Sequence, residues 1–163
     1  LKVDVKDLVR EADSVMFCLS KGLSAPVGSL VCGHKEFIHK ARKWRKMVGG
    51  GMRQSGHLAA AGIIALSDLV DQLKKDHSNA QKLAQGLARL KGIVLKPELV
   101  KTNIIFFSLK HRTPNPKAFL ENLEAQGIKI LMIQSGVFRA VLHREISESQ
   151  IEQVIRTSEE LTK

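Results

Sequence analysis

The chain has 163 residues, which is long enough to bury a core without disulfides or metals. Its formal net charge of +10 permits binding to nucleic acids or to membrane surfaces. Single-stranded nucleic acids are usually held on aromatic side chains, but the chain has no Tyr and one Trp, and glycines follow its densest basic stretch, residues 39–53. Composition therefore weighs against a basic nucleic-acid-binding module, which stays an alternative.

The first ninety residues contain four predicted helices and two predicted strands. The predicted helices cover residues 4–12, 35–47, 55–73 and 77–91. Two short apolar runs, residues 14–19 and 27–32, predict buried strands. Between them lies a loop of small residues that contains Lys21. Three consecutive glycines from Gly49 end the second helix.

The pattern changes after Gly92 to strands interrupted by shorter helices, which predicts a domain boundary there. The predicted strands cover residues 102–109, 129–134 and 138–143, and the predicted helices cover residues 115–126 and 147–161. A turn at residues 113–116 leads into the first of these helices, and Ser147 with Gln150 forms a capping box at the second. This order predicts a small antiparallel sheet covered by helices.

Cys18 and Cys32 are the only cysteines, too few for a disulfide framework or a metal site, and we expect both to be reduced and buried. No secretory signal pattern is present, and no apolar run is long enough to cross a bilayer. The sequence therefore predicts a cytoplasmic protein. The chain opens at Leu1 inside an amphipathic pattern without a capping residue, which we interpret as the start of a fragment.

Lys21 follows a buried strand directly, in a position that suits a Schiff-base lysine. A lysine amine is mostly protonated at neutral pH, and desolvation or nearby cations favour its neutral, nucleophilic form. Lys46 and Arg53 are candidates for those cations. The alternative interpretation of Lys21 is a surface lysine in a turn.

Five consecutive motifs carry a more specific signal. They are Ser20-Lys21-Gly22-Leu23, Ala-Pro-Val-Gly-Ser at 25–29, Arg-Lys-Met-Val-Gly-Gly-Gly-Met-Arg-Gln at 45–54, Ser-Gly-His-Leu-Ala-Ala-Ala-Gly at 55–62 and Phe-Arg-Ala-Val-Leu-His at 138–143. In order and spacing they resemble the motifs of low-specificity L-threonine aldolases. The resemblance spans nearly the whole chain.

The resemblance implies an α/β fold of the aspartate-aminotransferase-like class, with pyridoxal 5′-phosphate (PLP) as cofactor and no metal. Residues 1–91 would be a remnant of the large PLP-binding domain, and residues 92–163 the small carboxy-terminal α+β domain. In the family, the lysine at the position of Lys21 bears the cofactor, and that at Lys46 lies near it. The arginine at Arg53 reaches the cofactor phosphate of its own or of a neighbouring subunit, and that at Arg139 binds the substrate α-carboxylate.

Simpler interpretations of several residues stay open. Lys46 and Arg53 also fit a solvated basic helix end. His143, at a strand end, fits a structural residue better than a site residue. Ser20 and Ser29 are able to contact phosphate, but serines in such loops commonly bond nearby backbone.

The implied reaction is retro-aldol cleavage of L-threonine or L-allo-threonine to glycine and acetaldehyde by a homotetramer, in the pathway of threonine catabolism and glycine biosynthesis. The family's groups that stack on the cofactor ring, grip its phosphate and pair its pyridine nitrogen are not found in this sequence. A catalytically incompetent truncated or pseudogene-derived fragment is therefore one alternative. Another PLP reaction, such as β-elimination or transamination, is a second one.

Overall fold

The computed structural model describes residues 3–110 and 115–163, and it divides into two compact units, Leu1–Asp71 and Gln72–Lys163. In these described ranges no helix combines the length and apolar character needed to span a bilayer. The two units are described separately below.

The first unit contains a strand hairpin followed by two helices. Its elements are α1 (Val5–Leu8), β1 (Ser14–Cys18), β2 (Ser29–Gly33), α2 (Lys35–Met47) and α3 (Gly56–Asp68). β1 and β2 pair in antiparallel register, and α2 packs back against β2. β1 and β2 confirm the positions of the predicted strands to within two residues, and α2 has the predicted bounds. Both strands were predicted to be buried, but no residue of either strand is buried, so that expectation is wrong. α1 is shorter than predicted, and the carboxylate of Asp4 caps it by accepting a hydrogen bond from the Lys6 amide, so the expectation of an uncapped start is wrong.

Burial in the first unit differs from the prediction. Cys18 is half-buried and Cys32 is exposed, both as free thiols, so the expectation that both are buried is wrong. Only Gly62 and Ala65 are buried on α3, which was predicted to be a long buried helix. The apolar pattern identifies residues that are suited to burial. It does not show whether this chain contains the surface that buries them.

The second unit is a four-stranded antiparallel sheet with helices on one face. Its elements are α4 (Gln72–Ala88), β3 (Ile93–Val94), a 3-10 turn (Pro97–Leu99), β4 (Ile104–Leu109), α5 (Pro116–Ala125), β5 (Leu131–Gln134), β6 (Val137–Val141) and α6 (Glu148–Leu161). The strand order is β3-β4-β6-β5, with every neighbouring pair antiparallel. This architecture confirms the predicted helix-covered antiparallel sheet and adds β3, a two-residue edge strand.

Both predicted helix starts in this unit are present. Asn115 caps α5 by accepting a hydrogen bond from the Lys117 amide at 2.9 Å. Ser147 and Gln150 form the reciprocal capping box of α6. Thr113 and Pro114 of the predicted turn lie outside the described residues.

The core of the second unit lies between the sheet and its helices. Phe138 is its centre, with ring centroids 5.3 Å from Phe107 and 5.2 Å from Phe119. Leu83 and Leu87 bring the apolar face of α4 into the same core. α4 therefore groups with the sheet, whereas residues 77–91 were predicted to belong to the first domain. The reason is that a helix belongs with the surface that buries its apolar stripe, and chain order does not reveal that surface.

Candidate cofactor and substrate site

The loop that carries Lys21 joins β1 to β2 and is braced by its own backbone. The Leu19 amide donates to the Gly28 carbonyl at 2.9 Å, and the Ala25 amide donates to the Leu19 carbonyl at 3.1 Å. A turn closes on the lysine itself, because the Ser24 amide donates to the Lys21 carbonyl at 2.8 Å. Ser24 takes a positive φ of 58°, a conformation that non-glycine residues seldom adopt. The backbone of Lys21 is thus fixed while its side chain is exposed.

Leu19 anchors this loop on α3. The residue is buried, and its Cδ1 atom would lie 3.1 Å from a Cβ placed at Gly62 of α3 and 3.5 Å from one placed at Gly28. Gly28 also has a φ of +121°, which disfavours any side chain there. Gly62 on α3 and Gly28, seven residues after Lys21, therefore leave room for Leu19, two residues before Lys21, and let the loop and α3 approach each other closely.

Lys46 lies in the last turn of α2, which ends in a Schellman motif. The Gly50 amide donates to the Arg45 carbonyl at 2.8 Å, and the Gly49 amide donates to the Lys46 carbonyl at 3.2 Å, with Gly49 at a φ of +83°. This turn folds the chain back along Lys46. A Cβ at Gly51 would lie 3.3 Å from the Lys46 Cδ and 3.7 Å from its Nζ, so a side chain at this position would crowd the Lys46 side chain slightly.

Arg53 lies in the bend between α2 and α3, and its side chain is exposed. The next residue, Gln54, has a positive φ of 49°, and α3 begins two residues later at Gly56. Lys21, Lys46 and Arg53 therefore all belong to the first unit. No hydrogen bond or ion pair joins any two of them in the described part of the chain.

Arg139 lies in the second unit, on the central strand β6. Its direct cross-strand partners are Phe106 on β4 and Leu131 on β5. The neighbouring positions Phe138 and Ala140 point into the helix-covered core, so Arg139 lies on the opposite, uncovered face of the sheet. Its side chain is half-buried and has no ion pair with any residue that the structure describes.

The remaining candidates take up local contacts. His143 is exposed, and its Nδ1 lies 3.9 Å from the Glu145 carboxylate. Ser29 directs its hydroxyl to the Cys18 sulfur at 3.6 Å. Ser20 is exposed. These contacts agree with the simpler, structural interpretation of His143 and Ser29.

The side chains of the first unit fit PLP by their chemistry. Lys21 offers an exposed primary amine to the cofactor aldehyde, and Lys46 and Arg53 offer cations to its phosphate.

Phe106 and Leu131, the two cross-strand neighbours of Arg139, were not predicted from the sequence. The sequence of a single strand does not reveal which residues of another strand it will pair with.

The chain is similar to characterised proteins along most of its length. A profile of the beta-eliminating lyase family matches residues 1–110. Low-specificity L-threonine aldolase 1 of Arabidopsis thaliana is 43% identical over 152 residues, which cover 93% of this chain and 42% of the relative. The low specificity L-threonine aldolase of Escherichia coli K12 is 40% identical over 151 residues, which cover 93% of this chain and 43% of the relative. The chain thus spans less than half the length of these relatives.

Solved structures agree on the fold. A protein assigned as an L-allo-threonine aldolase from Listeria monocytogenes superposes with a TM-score of 0.78 at 17% identity, over 98% of this chain and 47% of its own. Serine palmitoyltransferase from Sphingomonas wittichii superposes with a TM-score of 0.74 at 23% identity, over 95% and 41%. These likenesses confirm the predicted fold class, and the family match implies the predicted cofactor, PLP. The chain belongs to the beta-eliminating lyase family, as its five motifs predicted.

Proposed function

We propose that this chain is the carboxy-terminal portion of a PLP-dependent aldehyde-lyase that cleaves L-threonine or L-allo-threonine to glycine and acetaldehyde. The observation that carries this proposal is the 43% identity with a low-specificity L-threonine aldolase across 93% of the chain. That aligned length is long enough to hold both the Lys21 loop and most of the sheet of the second unit.

Lys21 is proposed to hold the cofactor covalently and to give way to the substrate amine. When bound, PLP accepts the electron pair released as the Cα–Cβ bond breaks. The fixed backbone of the Lys21 turn supports this role, because a rigid loop restricts the positions that the amine reaches. Lys46 and Arg53 are proposed to bind next to the cofactor, with Arg53 reaching its phosphate from a neighbouring subunit.

Arg139 is proposed to bind the substrate α-carboxylate. Its guanidinium has no ion pair in the described part of the chain, and the sheet face around it is apolar. A planar guanidinium binds a carboxylate through two parallel hydrogen bonds, which fixes orientation as well as affinity. Such a clamp would set which Cα bond stands across the cofactor ring.

We further propose that residues 1–91 act as part of the large cofactor domain in a cytoplasmic homotetramer, and that this chain alone is inactive. The expected reason for inactivity is that the groups which stack on the ring, grip the phosphate and pair the pyridine nitrogen are supplied by further polypeptide. Relatives more than twice as long support this view.

The test is to join this chain to the amino-terminal portion of the Arabidopsis thaliana relative that it does not cover. We call this fusion the completed enzyme. With PLP bound, it should release glycine and acetaldehyde from L-threonine, and the 163-residue chain alone should not. Pyruvate formation from serine or transfer of the amino group, without acetaldehyde, would instead identify β-elimination or transamination and would refute the aldolase proposal.

A further inference from the structure

The strand positions on the uncovered face of the second unit's sheet include one charged residue. From edge to edge it presents Val94 on β3, Ile104, Phe106 and Ser108 on β4, Val137, Arg139 and Val141 on β6, and Leu131 and Gln134 on β5. Arg139 is the only charged residue among these strand positions. It also occupies the middle of the face, with a paired strand on each side.

Two large apolar side chains flank that charge. Phe106 and Leu131 are each the direct register partner of Arg139, and directly opposed Cβ atoms lie about 4.5–5.5 Å apart. Phe106 is 52% exposed and Leu131 is 57% exposed, so neither side chain is held inside the core. Both belong to the same face of the sheet as Arg139, one on each side of β6.

We propose that Phe106 and Leu131 are positioning residues that hold the Arg139 guanidinium upright on the sheet for the substrate carboxylate. The inference rests on the carboxylate role proposed for Arg139 and adds two residues to that site. An arginine stem has several rotatable bonds. Without the side chains of Phe106 and Leu131, which we call the walls, it would fold down over β4 or β5. With Phe106 and Leu131 present, these two directions are blocked, which favours a stem that extends away from the sheet.

The same walls alter the electrostatics of the site. Apolar groups beside a guanidinium exclude water, so a carboxylate that binds there meets a lower effective dielectric and a stronger attraction. Salt screens exposed pairs strongly and partly buried pairs much less. Substrate affinity that depends on Arg139 should therefore be only weakly sensitive to salt while both walls are present.

The test compares Phe106→Ala and Leu131→Ala with the parent in the completed enzyme. Each variant should raise the KM for L-threonine about two- to fivefold, the effect expected of one cross-strand pair, and should leave kcat nearly unchanged. The Kd for glycine, measured from the absorbance change of bound cofactor, should rise by a similar factor. Raising NaCl from about 0.05 M to about 0.5 M should weaken substrate binding more in either variant than in the parent.

Val94→Ala is the matched control, because Val94 is 48% exposed on the same face but lies on the edge strand, separated from β6 by β4. It should leave KM and Kd unchanged. Phe106→Leu retains an apolar wall and should restore most of the affinity lost in Phe106→Ala, which separates a wall from a packing defect.

A double variant separates this inference from the proposed function. In an Arg139→Ala background, Phe106→Ala should have no further effect on KM, since there is no guanidinium left to position. An additive effect, or parent-like KM and Kd in both wall variants beside an impaired Arg139→Ala, would overturn the inference and leave the aldolase proposal standing. A parent-like Arg139→Ala would overturn the inference together with the carboxylate role of Arg139, whereas the aldolase proposal is tested separately by the release of acetaldehyde from L-threonine.

Discussion

Lys21 is the residue on which the proposed chemistry depends most directly. Lys21→Ala removes the amine that holds and releases the cofactor, so threonine cleavage by the completed enzyme should collapse even at saturating substrate, and added PLP should not restore it. The visible absorbance of covalently held cofactor should also disappear. Lys43→Ala, at an exposed lysine of α2, is the control and should retain both properties.

Arg139→Ala should produce a different failure. Cofactor absorbance should persist, but loss of the carboxylate clamp should cost about 2–5 kcal/mol of binding, the range for truncating one partner of a buried charge pair. Some loss of kcat should accompany the higher KM, because the clamp also orients the reacting bond. Steady-state kinetics that match the parent would remove Arg139 from the site.

The candidate site shows what a sequence reveals at the scale of residues. The motifs singled out Lys21, Lys46, Arg53 and Arg139 because the family resemblance attaches roles to positions, and those roles stay predictions. The walls around Arg139 escaped notice because they come from β4 and β5, thirty-three and eight residues away in the chain, and only strand pairing brings them together.

At the scale of elements, Gly86 permits the close approach of α4 and α6. A Cβ at Gly86 would lie 2.2 Å from Cδ1 and 2.7 Å from Cγ1 of Ile155. Gly86→Ala should improve helix propensity by about 1 kcal/mol and yet lower the net free energy of unfolding, since overpacking costs about 1–3 kcal/mol. The free energy of unfolding of the second unit, measured by chemical denaturation of the parent and of Gly86→Ala, tests this prediction.

The matched variant for that prediction is the double change Gly86→Ala with Ile155→Ala, which removes the colliding atoms. It should be less destabilised than the sum of the two single variants. Strict additivity of the two changes would show that Gly86 and Ile155 do not share a packed contact.

The start of α6 also carries a pH-sensitive contact. Lys82 on α4 donates to the Glu148 carboxylate, and this hydrogen bond together with the lysine charge lowers the pKa of Glu148 below its ordinary value. A carboxyl with a lowered folded-state pKa adds stability above its unfolded pKa and loses it as pH falls through the folded one. Glu148→Gln should therefore lower the Tm modestly at pH 7, and the difference should vanish in acid. A difference that persists in acid would contradict this origin.

The helices and strands show where local patterns suffice and where they do not. The bounds of α2 agree with the prediction at both ends. The amphipathic pattern of this helix stops just before three glycines, which are typical of a helix end. α3 was predicted to continue to residue 73, but it ends at Asp68. Apolar residues continue at helical spacing past the end of α3, at Leu69, Val70 and Leu73. The apolar pattern therefore does not reveal the turn that separates α3 from α4.

At the scale of the whole molecule, the two units differ in how they bury apolar residues. The second unit has a contiguous core, whereas many large apolar residues of the first unit are exposed. These are Val3, Val5, Leu8, Met16, Val27, Val31, Phe37, Trp44, Met47, Val48, Met52, Ile63, Ile64, Leu66 and Val70. Exposed apolar surface of this extent is typical of an interface.

The chain alone should therefore self-associate despite its net charge of +10. Sedimentation velocity should show species heavier than 18.0 kDa whose fraction grows with concentration. Ile63→Gln should reduce this association, since Ile63 is 67% exposed on α3. A parent chain that stays a clean monomer at high concentration would contradict this prediction.

The most direct test of the central claim is to identify the lysine that bears the cofactor. The completed enzyme is loaded with PLP, reduced with borohydride to make the cofactor bond permanent, digested and analysed by mass spectrometry. The account predicts that the peptide carrying the reduced cofactor contains Lys21 as its modified residue. Modification of Lys46 or of another lysine in its place, with Lys21 unmodified, would contradict it.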